Sequence, residues 1–287
     1  MTTPRPAVRP ARLLAAAVAA GALFATAACS AEEGGTGSGS RTGAGPAERP
    51  AAAATTPGSP SPSPSPSPSP RLTEEGARQA LITDADIEDA WTQVDPGTAR
   101  SWRNRLLLGD VDAAQFLTGR SDVSDCQRLA DALFAETLLG PPSGASALTG
   151  FEEGDSRLLY QVAAYEKSGL DASMRWLRSL PQSCDSFTLT GDDGERTVEV
   201  VETSLPGVGD ARQGLTVTAR GTGVGEPATL TLTVAVVQVG ANAITLTQGG
   251  LDGAEESTTR SAVQQGTQRL QEVLAGRTPS PDPSFFD

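Results

Sequence analysis

The chain has 287 residues, a formal net charge of −13 and no histidine. A surface this acidic repels phosphate backbones, which sets aside nucleic-acid binding; without histidine, neither a Ser-His-Asp or Cys-His catalytic site nor a His-ligated zinc site can be built. Length alone admits two domains, but the first 70 residues are too poor in apolar content to form one, which leaves a single domain of about 205 residues.

Arg5, Arg9 and Arg12 precede an apolar run over 13–25, which ends in Thr26-Ala-Ala-Cys29. That is the order of a secretory leader, and the run is shorter than the roughly 20 residues of a spanning helix. Ending on a cysteine, it resembles a bacterial lipoprotein signal. Residues 1–28 are then expected to be the signal peptide, and Cys29 the acylated N-terminus that holds the protein on the extracellular face of the cytoplasmic membrane. Thr26 departs from the leucine usual at its position in such signals. Cleavage after Ala27, releasing a soluble protein, is the alternative. No Arg-Arg pair precedes the apolar run, so export is expected to be unfolded, with no cofactor loaded beforehand.

Residues 29–71 are dominated by Gly, Ser, Thr, Ala and Pro, with unbroken Ser-Pro alternation over 59–70. Such a segment cannot bury enough apolar surface to fold and is expected to be a disordered tether. Its Ser-Pro half favours extended polyproline II at about 3.1 Å per residue, a spacer of roughly 40 Å that lifts the domain off the membrane. Proline-rich recognition motifs are the other use of such a sequence.

The folded domain is expected over 72–277, with a disordered tail at 278–287. Thr73 caps a first short helix with acids in its first turn, and Thr83 caps a second helical turn leading to Trp91. Asp84 and Asp86 there fit helix-dipole partners, with a metal site as the alternative. Trp102 with Leu106, Leu107 and Leu108 is expected in the core. Ser124-Asp-Cys-Gln127 has capping-box spacing, which predicts a helix from 124 to about 138 with Cys126, Leu129, Leu133 and Phe134 on its buried face. After Pro141-Pro142 and a Gly/Ser loop, residues 157–165 alternate like a strand and 170–180 read as a helix. Five more strands follow at 187–190, 196–202, 213–219, 229–239 and 243–247, rich in Val, Leu and Thr and separated by turn signals. A last helix over 254–275 carries Val263, Thr267, Leu270 and Leu274 on one stripe and should cover one face of the sheet. The fold class is thus α+β, an antiparallel sheet of about five to six strands covered by helices.

With Cys29 taken by lipid, the two remaining cysteines, Cys126 and Cys184, most simply form a disulfide in an exported protein. The bridge closes a loop of 58 residues, worth roughly 4 kcal/mol on the chain-entropy model, and reads as structural rather than redox-active. Gly221-Thr-Gly-Val-Gly225 lies between two strands and reads as a hairpin rather than a nucleotide loop. Gly191-Asp-Asp-Gly-Glu195 reads as a hairpin turn, with Ca²⁺ binding as the alternative.

In order along the chain stand the Leu-Ile-Thr-x-x-Asp-Ile-x-x-x-Trp run from Leu81 to Trp91, Cys126 with Leu129, Ser183-Cys-Asp-Ser-Phe187, Pro206-Gly-Val-Gly-Asp210 and Val237-Gln-Val-Gly240. Over 72–274 this order resembles the extracellular sensor domain of the mycobacterial PknH-type receptor kinases and the free-standing lipoproteins related to it. The resemblance implies an α+β fold with an antiparallel sheet and a ligand-taking cleft. The kinase version carries an additional disulfide, and this chain contains no kinase. The expected function is therefore a lipid-anchored extracytoplasmic domain, without catalysis, that binds a small ligand or an envelope component. Tyr160, Trp176 and Leu246 are the expected pocket walls between sheet and helices, with the core as the alternative home of the two aromatics. A structural or assembly role and a His-free hydrolase with paired carboxylates are the other classes left open.

Overall fold

The computed structural model describes residues 71–280 apart from 88, 89, 193 and 224. These fall within the second of two units into which the chain divides, Ser65–Asp287. The leader and Cys29 lie outside the described residues.

An eight-stranded antiparallel sheet carries the fold. It comprises β1 (Thr92–Val94), β4 (Ser146–Glu153), β5 (Ser156–Ala164), β6 (Ser186–Gly191), β7 (Gly194–Thr203), β8 (Ala211–Gly223), β9 (Glu226–Val239) and β10 (Asn242–Gly250), with β2 (Leu107–Leu108) and β3 (Val111–Asp112) forming a separate ribbon. The order across the sheet is β1-β4-β5-β10-β9-β8-β7-β6. The chain leaves β5, crosses by helix α5 (Lys167–Ser183) to the far edge, and meanders back strand by strand until β10 pairs with β5.

The sheet has eight strands rather than five to six because two escape a reading based on alternation. β4 is nearly continuously buried, so neither face shows a polar repeat. Its Gly150 is dictated by packing, since a Cβ there would stand 2.6 Å from the Trp102 ring. β1 has only three residues, too few to display a period.

Helices cover both faces. On one, α2 (Pro96–Ser101), α3 (Ala114–Leu117), α4 (Ser124–Ala132) and α5 enclose a core that includes Trp102, Phe116, Leu129, Leu177 and Val217. On the other, α1 (Glu74–Gln79) and α6 (Glu256–Leu274) enclose Ile82, Phe151, Tyr160, Leu246 and Val263. Thr73 caps α1 as expected, its hydroxyl accepting from the Gly76 amide at 3.0 Å. α6 follows its predicted stripe, with Val263, Thr267 and Leu270 buried, and ends before Gly276, whose φ of +73° turns the chain out of the helix.

α4 differs from expectation at both ends. Ser124 is its first residue rather than its cap, and Gln127 reaches back instead to the Ser121 amide at 2.7 Å and the Gly119 carbonyl at 3.1 Å, so no capping box forms. The helix stops at Ala132, not near 138, because Leu133 is extended and Phe134 takes a φ of +53°. That turn sets the Phe134 ring edge-on to Trp102, with centroids 6.2 Å apart. Leu107, expected in the core, is exposed, whereas Leu106 and Leu108 are buried, as strand alternation requires.

Candidate functional site

The predicted cysteine pair is bonded. Cys126 on α4 joins Cys184, which caps α5, with Cα atoms 5.5 Å apart and both residues fully buried. The bridge ties two helices of one layer, and Arg128 stacking 3.7 Å over the Trp176 ring reinforces the same contact.

The three residues expected to wall a pocket do not share one. Tyr160 and Leu246 are register partners on β5 and β10, fully buried beneath α6. Trp176 lies in the opposite layer, on α5. Sequence order could not show that α5 crosses the other face of the sheet.

Under α6 lies a buried polar cluster instead. Asp86, with a side chain only 1% exposed, pairs with Arg269 at 3.2 Å. It also accepts from the Thr83 amide and hydroxyl at 2.8 and 2.9 Å, and Arg269 donates to the Gln79 carbonyl at 3.2 Å. The acid predicted to serve a helix dipole thus serves a tertiary ion pair as well. Burial pushes the Tyr160 hydroxyl well above its ordinary pKa; the Arg269 charge opposes this and Asp86 adds to it. Gly266 lets α6 pass over this ring, since a Cβ there would fall 1.9 Å from the Tyr160 oxygen. Among the described residues no group of three or more His, Cys, Asp or Glu is placed to hold a metal ion. Asp193 of the alternative calcium turn lies outside them.

A cleft of about 380 Å³ lined largely by hydroxyls lies beside the first turns of α6. Its position follows from topology. α6 lies over β9 and β10, so β8 and β7 emerge beyond its edge. Thr216 from β8 and Thr231 and Thr233 from β9 form the floor, while Thr259 and Arg260 form the α6 wall. The opposite rim is Thr203, Ser204, Leu205 and Pro206, where β7 ends and the chain turns away. Gly214 admits Leu205 there, since a Cβ would meet the Leu205 side chain at 2.9 Å. Gln248, fully buried and opposite Thr233 in the ladder, accepts from the Thr259 hydroxyl at 3.4 Å. Its amide nitrogen finds no hydrogen-bond partner among the described residues. The floor is therefore polar, and Thr259 of the wall is tied to β10. No motif announces it: the threonines come from strands and a helix far apart in sequence and read singly as ordinary strand residues.

A wider cavity, about 720 Å³, opens at the other end of the sheet between Tyr165, Lys167, Gly240 and Leu274. It borders Arg71, where the described residues begin. Asp171 nearby is held below the ordinary carboxylate range by hydrogen bonds from Lys167 and Gln238.

Fold and site together define an α+β domain with a two-faced antiparallel sheet and a hydroxyl-lined cleft at the edge of its C-terminal helix. No family model matches the chain, and no curated protein matches it. Among solved structures it is similar to the extracellular domain of PknH from Mycobacterium tuberculosis, with a TM-score of 0.40 and 12% identity over 70% of this chain and 96% of that one. It is also similar to an uncharacterized protein, the Rv0999 ortholog from Mycobacterium smegmatis, with a TM-score of 0.28 and 14% identity over 66% of this chain and 86% of that one. No helix of the described residues is long and apolar enough to cross a membrane.

Proposed function

We propose that this protein is an extracytoplasmic, non-catalytic binding domain, held on the outer face of the cytoplasmic membrane by lipid on Cys29 and raised from it by the 29–71 tether. The carrying observation is the cleft between α6 and the β7–β9 surface. What converges there is a set of threonine hydroxyls, each able to donate and accept, beside one Glu256–Arg260 ion pair. Those groups hold a ligand rather than transform it. The Cys126–Cys184 bond suits the oxidising side of the membrane.

Two measurements test the two halves. Cys29→Ala is expected to move the protein from the membrane fraction to the soluble one, because stable anchoring needs the acyl chains at about 0.8 kcal/mol per buried methylene. Retention in the membrane fraction would contradict the anchor. For the cleft, thermal melts of the mature chain are run against soluble sugars, peptides and lipids. A ligand at a hundred times its Kd stabilises the fold by about 2.7 kcal/mol. Thr231→Trp, which fills the floor, is expected to abolish that shift. A shift that survives the substitution, or chemical turnover of the ligand, would contradict the reading.

A further inference from the structure

The cleft continues onto an exposed surface that the binding reading does not yet use. On the face of β6–β9 turned away from α5, threonine recurs at alternate positions: Thr188 on β6, Thr197 on β7, Thr216 and Thr218 on β8, Thr229 and Thr231 on β9. Register turns this recurrence into rows. Thr188 stands opposite Thr197, and Arg220 links Thr197 to Thr229 in the next strands. One row over, Thr218 stands between Glu199 and Thr231; in the next, Thr216 stands between Val201 and Thr233. Thr188, Thr197 and Thr229 are exposed, and Thr216, Thr218 and Thr231 are half-buried as the rows approach α6. Thr216 and Thr231 belong both to the rows and to the cleft, so platform and cleft are one continuous site.

The geometry of a ladder fixes this array. Neighbours across strands stand about 4.8 Å apart and alternate residues along a strand about 6.7 Å apart, so the hydroxyls form a regular grid that follows the twist of the sheet. Most of the charges on it are paired. Arg220 pairs with Glu199 at 2.7 Å and Arg260 with Glu256, and Glu195 adds one further acid at the far rim by the β6–β7 turn. On a chain of net charge −13 this face carries little net charge. Val201, 55% exposed, stands at the β7 end of its row, where β6 places no residue opposite it, and adds an apolar spot beside the threonine methyls. Protein interfaces are enriched in aromatics and Met at their centre, and this face presents hydroxyls instead.

From the grid, its paired charges and its continuity with the cleft, we infer that the β6–β9 face binds a neutral, polyhydroxylated chain, a glycan segment whose end occupies the cleft. Sugar hydroxyls both donate and accept, as threonine hydroxyls do, and each threonine rotor can adjust to either role. The interstrand spacing is close to the length of one pyranose unit, so successive units can lie on successive strands. Charges already paired on the protein fit a ligand that carries none. This inference rests on the binding role proposed for the cleft and narrows it to one ligand class.

The test is titration calorimetry of the full mature chain with neutral hexose oligomers (maltose-, cellulose- and mannan-derived, from disaccharide to hexasaccharide), with an oligogalacturonide as the charged comparator. Affinity for one neutral series is expected to rise with chain length and to stay nearly constant from low to high salt, since no charge is being screened. The triple substitution Thr197→Val, Thr218→Val and Thr229→Val removes three hydroxyls while keeping β-branched shape and strand propensity. It should lower that affinity by roughly tenfold or more with the melting temperature unchanged. Unchanged affinity in the triple variant would overturn the inference, as would tighter, salt-sensitive binding of the oligogalacturonide. If all neutral oligomers fail while peptides or lipids bind in a manner that Thr231→Trp abolishes, the glycan inference fails and the cleft reading stands. If binding of every class survives Thr231→Trp, the cleft reading itself fails. Self-association of the chain through this face, broken by Val201→Lys and accompanied by no oligosaccharide binding, would assign the surface to protein contact and also overturn the inference.

Discussion

Asp86→Ala separates the two contributions that fix α6 to the domain, its apolar stripe and its buried ion pair. Asp86 and Arg269 have side chains 1% and 11% exposed and stand 3.2 Å apart. Removing the carboxylate leaves the guanidinium in a site from which water is largely excluded, and breaking a pair in this way costs about 3–5 kcal/mol. Thr83 also loses its hydrogen bonds to Asp86, which adds to the loss. Set against a domain stability of roughly 5–15 kcal/mol, the single substitution should shift the urea midpoint markedly. The assay is equilibrium unfolding followed by tryptophan fluorescence, for which Trp91, Trp102 and Trp176 are the three reporters. Arg269→Met should cost a comparable amount. The double variant Asp86→Ala, Arg269→Met should cost clearly less than the sum of the two, because it leaves no buried charge without its partner. A single-variant cost under about 1 kcal/mol, or a double variant whose loss equals the sum of the two singles, would show that the pair does not couple α6 to the Thr83–Asp86 turn.

Reduction of Cys126–Cys184, which spans a sequence separation of 58, should lower the melting temperature by the equivalent of roughly 4 kcal/mol. Labelling of both cysteines in native, unreduced protein would contradict the bond. The chain has two tyrosines, and burial raises both Tyr160 and Tyr165 above the ordinary value of 10.0. The folded state therefore holds protons that the unfolded state releases, so stability is fully present below about pH 10 and falls as pH rises beyond it. Tyrosinate absorbance should then appear only together with unfolding, and its appearance in still-folded protein near pH 10 would refute the burial assignment.

Much of the architecture could be read from residue order because the strands after Cys184 are half-buried and alternate. β6, β7 and β8 show Leu or Val facing the core and Thr or Glu facing out, and Asp-Gly or Gly-rich turns separate them. Where burial is two-sided the pattern vanishes, which hides β4. The disulfide is legible for a different reason, that Cys126 shares a buried helix face with Leu129 and only Cys184 remains to meet it. The site was not legible. Size and apolarity describe pocket walls and core alike, so they do not place Tyr160, Trp176 and Leu246, and the helix crossing that separates Trp176 from the others leaves no local mark. The cleft that the fold does build draws on Thr203, Thr216, Thr231 and Thr259, residues 56 positions apart from first to last by their numbering, brought together by the meander and by α6 returning over it. The same threonines satisfied the strand periodicity, so their second property, a shared exposed face, became visible only with the register.

Where a ligand sits is the most direct test of the binding face. Backbone hydrogen exchange of the mature chain, with and without the tightest-binding neutral hexose oligomer, reads this residue by residue. Added protection is predicted over β7–β9 around Thr197, Thr218 and Thr229 and over the first turns of α6 at Thr259 and Arg260, with no change at Tyr165 and Asn242. Protection centred on Tyr165 and Asn242 instead, or none anywhere at saturating oligomer, would contradict it.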